Sequence, residues 1–197
     1  MARPTNTDAR RAEIVEAMLR VMARRGYARA SIAAIAEEAG LTAGLVHYHF
    51  RNKQAILLAL VERIAGVAQA RFEALSVSAT SPRARLDAFI DAHLARGEGA
   101  DPDAVACWVA LGTEALAQPE IGAAYGRVIA GQLEALTQLV RDAGAAPGDA
   151  PRVAAGLLAA IEGAFRLAAI VPGAIPDGSA AATVRAMASG LLGGEDR

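Results

Sequence analysis

The sequence predicts an all-α protein, and three observations carry that prediction. Fifty of its 197 residues are alanine, which loses no side-chain entropy in a helix and forms strands poorly. Apolar residues recur at spacings of three and four along most of the chain, and no stretch alternates with period two for long enough to be a strand. Three tyrosines, four phenylalanines and one tryptophan are few for a β-sandwich or barrel. An apolar share of 54% with 21% charged residues separates the chain from disordered sequences.

About nine helices are expected. Ile14, Val15, Met18, Leu19 and Met22 form one face of a first helix that stops at Gly26. Ser31 caps a short second helix with Ile32, Ile35, Ala36 and Ala39 inward. Gly40-Leu41-Thr42 makes a tight turn, and Thr42 caps a third short helix through about His49. Asn52 caps a long fourth helix carrying Ile56, Leu57, Leu60, Val61, Ile64, Val67 and Phe72.

Ser81-Pro82, Asp101-Pro102 and Gln118-Pro119 then each put a polar residue before a proline, the arrangement that opens a helix. Their inward stripes read Leu86, Phe89, Ile90, His93 and Leu94; Val105, Trp108, Val109, Leu111 and Leu116; and Ile121 through Val140. Pro151 opens an eighth helix to about Val171, and a ninth runs from about Ser179 to Leu192. The domain reading is a short helical head over 1–52, a helical domain over 53–193 and a disordered tail over 194–197.

The formal net charge of −1 hides an asymmetry. Residues 1–53 hold nine Lys/Arg against five acids, so a basic head precedes an acidic body and points to a polyanionic partner. A single cysteine, Cys107, excludes a disulfide framework within the chain and a paired-cysteine metal knuckle. The charged opening MARPTNTDARR lacks the apolar segment of a secretory signal. The longest uncharged apolar runs fall short of a membrane span, so a cytoplasmic protein with no membrane partner is expected.

Two short helices joined by a glycine-containing turn form a helix-turn-helix, whose second helix enters the major groove. That second helix reads Ala43-Gly44-Leu45-Val46-His47-Tyr48-His49, with aromatic and imidazole groups where a buried helix would carry aliphatics. Lys53, the only lysine, opens the next helix, where free amides and charge favour phosphate. His47 and His49 lie on nearly opposite sides of their helix with no Cys, Asp or Glu close in sequence, so no metal site is expected, nor any cofactor.

Residues 31–57, SIAAIAEEAGLTAGLVHYHFRNKQAIL, resemble the DNA-binding signature of the TetR family of transcriptional regulators. The resemblance implies a homodimer with a helix-turn-helix head and a C-terminal domain that binds a ligand and dimerises. It implies that Ala43, Gly44, Leu45, His47 and Tyr48 face base edges or nearby backbone, while Ser31, Thr42, His49 and Lys53 position the head through phosphates. Val46 and Phe50 should be core. The sequence departs from the usual pattern at His47, where most members have tyrosine, and at Leu45, which offers only apolar contact such as to a thymine methyl. Operator preference therefore does not carry over from relatives.

The last two helices are rich in small residues, among them Ala154, Ala155, Gly156, Ala159, Ala160, Gly163, Ala164, Ala182, Ala186 and Gly190. With Leu157, Leu158, Ile161, Val184, Met187 and Leu191 they suit a two-fold four-helix dimer interface; the same faces would also serve to close a monomer core. CWVALGTEALAQPEI and AAIEGAFRLAAIVPGAIPDG resemble the C-terminal domain of the BetI-type, choline-responsive subgroup. A choline-like effector needs an aromatic cage with acidic help, for which Trp108, Tyr125 and Phe165 supply rings and Glu114 and Glu162 supply charge. Plain core packing is the competing role for all three rings. His93, on an apolar face, reads as a satisfied core or pocket-rim histidine.

The function expected is a repressor that leaves a palindromic double-stranded operator when a small molecule binds. The alternatives are an activator or architectural protein without ligand, and an all-α enzyme using the C-terminal cavity. The sequence supplies no nucleophile–base spacing, phosphate loop or metal cluster for the last of these.

Overall fold

The computed structural model describes residues 6–94 and 101–193. Among the described residues there are nine helices and no strand: α1 (Asn6–Arg29), α2 (Ile32–Ala39), α3 (Ala43–His49), α4 (Lys53–Ser76), α5 (Pro82–Leu94), α6 (Pro102–Ala117), α7 (Pro119–Asp142), α8 (Ala150–Ile170) and α9 (Ser179–Leu192). The all-α expectation and the helix order both hold. The tail expected over 194–197 lies outside the described residues.

Helix starts follow the chemistry of their first residues. Pro82, Pro102 and Pro119 open α5, α6 and α7, because a ring without an N–H costs nothing in a first turn. Ser81 Oγ accepts from the amide of Ala84 at 3.1 Å, and Asn52 Oδ1 accepts from that of Ala55 at 2.8 Å; each satisfies one orphan donor. The first helix breaks where glycine permits: Gly26 has φ 73 and ψ 165, and the chain resumes a further turn to Arg29.

The chain forms two compact units, and α4 and α7 run from one into the other. The first holds the described residues up to Ala65 together with Pro102–Gly126. Its buried residues include Ile14, Met18 and Met22 of α1, Ile35 of α2, Val46 of α3, Ile56, Leu57 and Leu60 of α4, and Cys107, Trp108 and Leu111 of α6. The Cys107 thiol is buried, and its Sγ lies 3.3 Å from the carbonyl oxygen of Leu19. Leu116, expected inward, is 91% exposed. Five residues beyond Leu111, it has turned about 140° around the helix from the buried stripe.

The second unit runs from Gly66 through α5 and resumes at Arg127. Leu86, Phe89 and Ile90 of α5 pack with Leu136 and Val140 of α7, Leu157, Leu158 and Ile161 of α8, and Val184 of α9. Each such side chain contributes about 1.5–3 kcal/mol by leaving water. Arg185 of α9 pairs with Asp91 of α5, and Arg83 Nη2 donates to the Arg185 carbonyl at 3.0 Å.

The small-residue set of α8 and α9 divides between two faces. Leu157, Leu158, Ile161, Val184, Ala154 and Ala164 close the unit's own core, against the expectation that the aliphatics face a partner. Ala155, Gly156, Ala159 and Gly163, with Ala182, Ala186, Met187, Gly190 and Leu191, are exposed. By length and composition α8 could cross a membrane, with a mean hydropathy of 1.7 over an 18-residue window of which 33% is buried. Its buried residues Val153, Ala154, Leu157, Leu158 and Ile161 belong to the core of the second unit, and a core helix meets the same length and composition test.

Candidate nucleic-acid interface

The turn between α2 and α3 is fixed by caps at both ends. Ser31 Oγ accepts from the Ala34 amide at 3.1 Å and starts α2. Gly40 ends it in the left-handed region, φ 66 and ψ 31, and its amide returns to the last turn. Thr42 Oγ1 then accepts from the Leu45 amide at 3.2 Å and starts α3. Ser31 and Thr42 thus have their side-chain oxygens committed to caps, with their hydroxyl hydrogens still available to donate.

On α3 the inward and outward residues separate as the period requires. Val46 is 0% and the following Phe50 2% exposed, as expected. Ala43, Gly44, Leu45, His47 and Tyr48 are exposed, Tyr48 to 79%. A phenol so exposed on a helix of seven residues takes no part in the core. The His49 ring is half-buried and stands edge-on to Tyr48, centroids 5.1 Å apart.

Arg11, which no sequence pattern marks, holds the end of this helix. Its Nη1 donates to the His49 carbonyl, and its guanidinium sits 4.1 Å from the Phe50 ring centroid. A cation at a helix C-terminus is favoured by the dipole. Arg20 and Arg24 of α1 both bind Glu38 of α2; their hydrogen bonds, Arg20 first, hold the Glu38 carboxyl below the ordinary range. Part of the head's basic charge is therefore structural, while Arg25, Arg29 and Arg51 remain exposed.

Lys53 is half-buried at the first residue of α4. Its Nζ donates to the Tyr27 carbonyl at 3.0 Å and stands 3.9 Å from the centroid of the Tyr27 ring. An ammonium has three donors, so the site expected for phosphate is also anchored from within.

The residues expected to meet a ligand fall in both units. In the first, Trp108 and Tyr125 stack with centroids 4.4 Å apart, and Glu114 accepts from Gln118 Nε2 at 2.7 Å. In the second, the His93 Nδ1 lies 2.8 Å from the Phe89 carbonyl, Nε2 lies 3.3 Å from Gln132 Nε2, and the ring lies 4.5 Å from that of Phe89. Burial above all pushes the His93 pKa below its usual 6.5. Phe165 packs against the second core, and Glu162, three residues before it on α8, is half-buried. A 440 Å³ cleft in the same unit, lined by Thr80, Ser81, Arg85, Leu139 and Asp142 among others, contains none of the six. No group of three or more His, Cys, Asp or Glu among the described residues is placed to hold a metal ion.

An exposed short helix held by caps behind a glycine turn, in a basic head, defines a helix-turn-helix DNA-binding protein. Residues 14–60 match the family "Bacterial regulatory proteins, tetR family", and residues 82–193 match "BetI-type transcriptional repressor, C-terminal". The chain belongs to the TetR family of transcriptional regulators, with a C-terminal domain of the BetI type. The HTH-type transcriptional regulator BetI of Agrobacterium fabrum is 31% identical over 160 residues, 79% of this chain and 75% of that one. A Rhodococcus sp. chain described as a TetR-family transcriptional regulator superposes with a TM-score of 0.80 at 20% identity, covering 93% of this chain and 98% of that one. A transcriptional regulator from Saccharomonospora viridis, solved in complex with choline, gives 0.75 at 25% identity, covering 95% and 98%.

Proposed function

We propose that this regulator is a cytoplasmic homodimeric repressor, released from a two-fold operator by a small organic cation of the choline class. The observation that carries the DNA half is the exposed row Leu45, His47 and Tyr48 on a helix whose other side is buried. Two such helices read two half-sites about one DNA turn apart, roughly 34–36 Å. Base contacts fall to Ala43, Gly44, Leu45, His47 and Tyr48, and phosphate contacts to Ser31, Thr42, His49 and Lys53. The dimer is supported by the exposed apolar and small residues of α8 and α9.

The ligand half rests on the Trp108–Tyr125 stack with the Glu114 carboxylate on the same helix as Trp108. Aromatic faces and a carboxylate are the chemistry that holds a quaternary ammonium. The choline complex of the Saccharomonospora viridis relative adds support.

Footprinting on the DNA flanking the protein's own gene, at a stated salt concentration, tests both halves. The expected result is a symmetric protected site whose affinity drops about fivefold or more with choline, the scale of ordinary allosteric coupling. Protection unchanged by saturating choline would overturn the effector class. Transcription from the protected promoter that rises with added protein would overturn repression.

A further inference from the structure

The first unit contains a row of four side chains that runs from α6 to the start of α4. Glu114 of α6 accepts from Gln118 at 2.7 Å. Gln118, between α6 and α7, is hydrogen-bonded through its side chain to Tyr27. Tyr27 in turn offers its carbonyl and its ring face to the Lys53 ammonium, at 3.0 Å and 3.9 Å. The left-handed break at Gly26 delivers Tyr27 to this position, outside the regular course of α1.

We propose that Tyr27 and Gln118 are positioning residues for DNA binding: they hold the Lys53 ammonium ready for phosphate and make its position depend on the state of Glu114. This rests on the DNA-binding reading above and extends it to how the site is regulated. A lysine held in place has already lost the rotamer freedom that binding would otherwise take from it. A carbonyl and a ring face engage Lys53 without neutralising it, as a carboxylate would. A cation that drew the Glu114 carboxylate to itself would remove the acceptor on which Gln118 depends, and the hold on Tyr27 would loosen with it. Coupling of this kind is reciprocal, so DNA on Lys53 must alter the surroundings of α6.

That reciprocity gives a test without an identified effector. Trp108, the protein's only tryptophan, lies on α6 with Glu114. Full-length protein is titrated with a fluorescein-labelled duplex at low salt, with anisotropy reporting binding and Trp108 emission reporting α6. Tyr27→Phe keeps the carbonyl and the ring that hold Lys53 and removes only the hydroxyl; Gln118→Met removes the amide at similar volume.

In the wild type, duplex binding should change Trp108 emission. Both variants should bind the duplex more weakly than wild type, because Lys53 is no longer held ready, and at saturating duplex should lose most of that change. A merely structural role would shift the melting temperature and leave the emission response per bound duplex intact. An equal response in the variants, or bound wild type with silent Trp108, overturns the proposal. Failure of any duplex to bind would remove the DNA-binding reading, and this inference with it.

Discussion

In the proposed reading, residues on α3 and at the start of α4 divide the work of DNA binding, and their substitution should separate affinity from specificity. Lys53→Ala should weaken binding evenly across sequences and lower the magnitude of the salt slope by about one, because one phosphate contact is lost. Tyr48→Ala should instead cost about 1–3 kcal/mol on the operator with little effect on unrelated duplexes, if the phenol reads a base edge. Competition footprinting with specific and unrelated DNA distinguishes the two. In the second unit, His93 makes a prediction about acid. Its folded pKa lies below 6.5, so between the two values the unfolded chain binds more protons and stability rises with pH. The contribution is complete above pH 6.5 and is lost as pH falls toward the folded value. Urea midpoints should drop below that pH in the wild type and drop less in His93→Gln.

At the scale of the helix, the caps made the fold legible. Ser31, Thr42, Asn52 and Ser81 are short polar residues placed to accept an amide at a helix start, and each does so. Thr42→Ala should therefore cost about 1 kcal/mol by urea denaturation, and operator affinity should fall with it because α3 starts at that cap. What the sequence did not reveal are contacts between residues distant in the chain. Arg11 reaches His49 across 38 positions, Lys53 reaches Tyr27 across 26, and neither partner is a charged group that a pattern would flag. The close approach of α6 and α7 was equally hidden. A β-carbon on Gly122 would lie 2.7 Å from the carbonyl oxygen of Ala115, a backbone atom that cannot turn aside. Gly122→Ala should lower the melting temperature, although alanine ordinarily favours a helix interior; an unchanged or higher value would show that the helices separate freely.

For the whole molecule, the remaining question is what covers the outer face of α8 and α9. Periodicity assigned small and aliphatic residues to these helices without dividing them, since a stripe that closes a core and one that meets a partner have the same period. The structure divides them: one side of α8 is core, while Ala155, Gly156, Ala159 and Gly163 are exposed, with Leu167 46% exposed further along α8 and Met187 49% and Leu191 46% exposed on α9. A β-carbon added at Gly156, Gly163 or Gly190 would meet nothing within 4 Å, so the chain itself does not require glycine there. A face of small residues lets a second helix pair approach closely, and a stable dimer buries roughly 800 Å² per partner. Gly163→Arg should then leave helix content and melting of the monomer nearly unchanged while blocking the approach. Sedimentation should show wild-type dimer and variant monomer. The variant should retain weak, salt-sensitive duplex binding but lose tight binding to the two-fold site, because a single head gains nothing from the second half-site. A Gly163→Arg protein that still sediments as a dimer would place the interface elsewhere on the molecule.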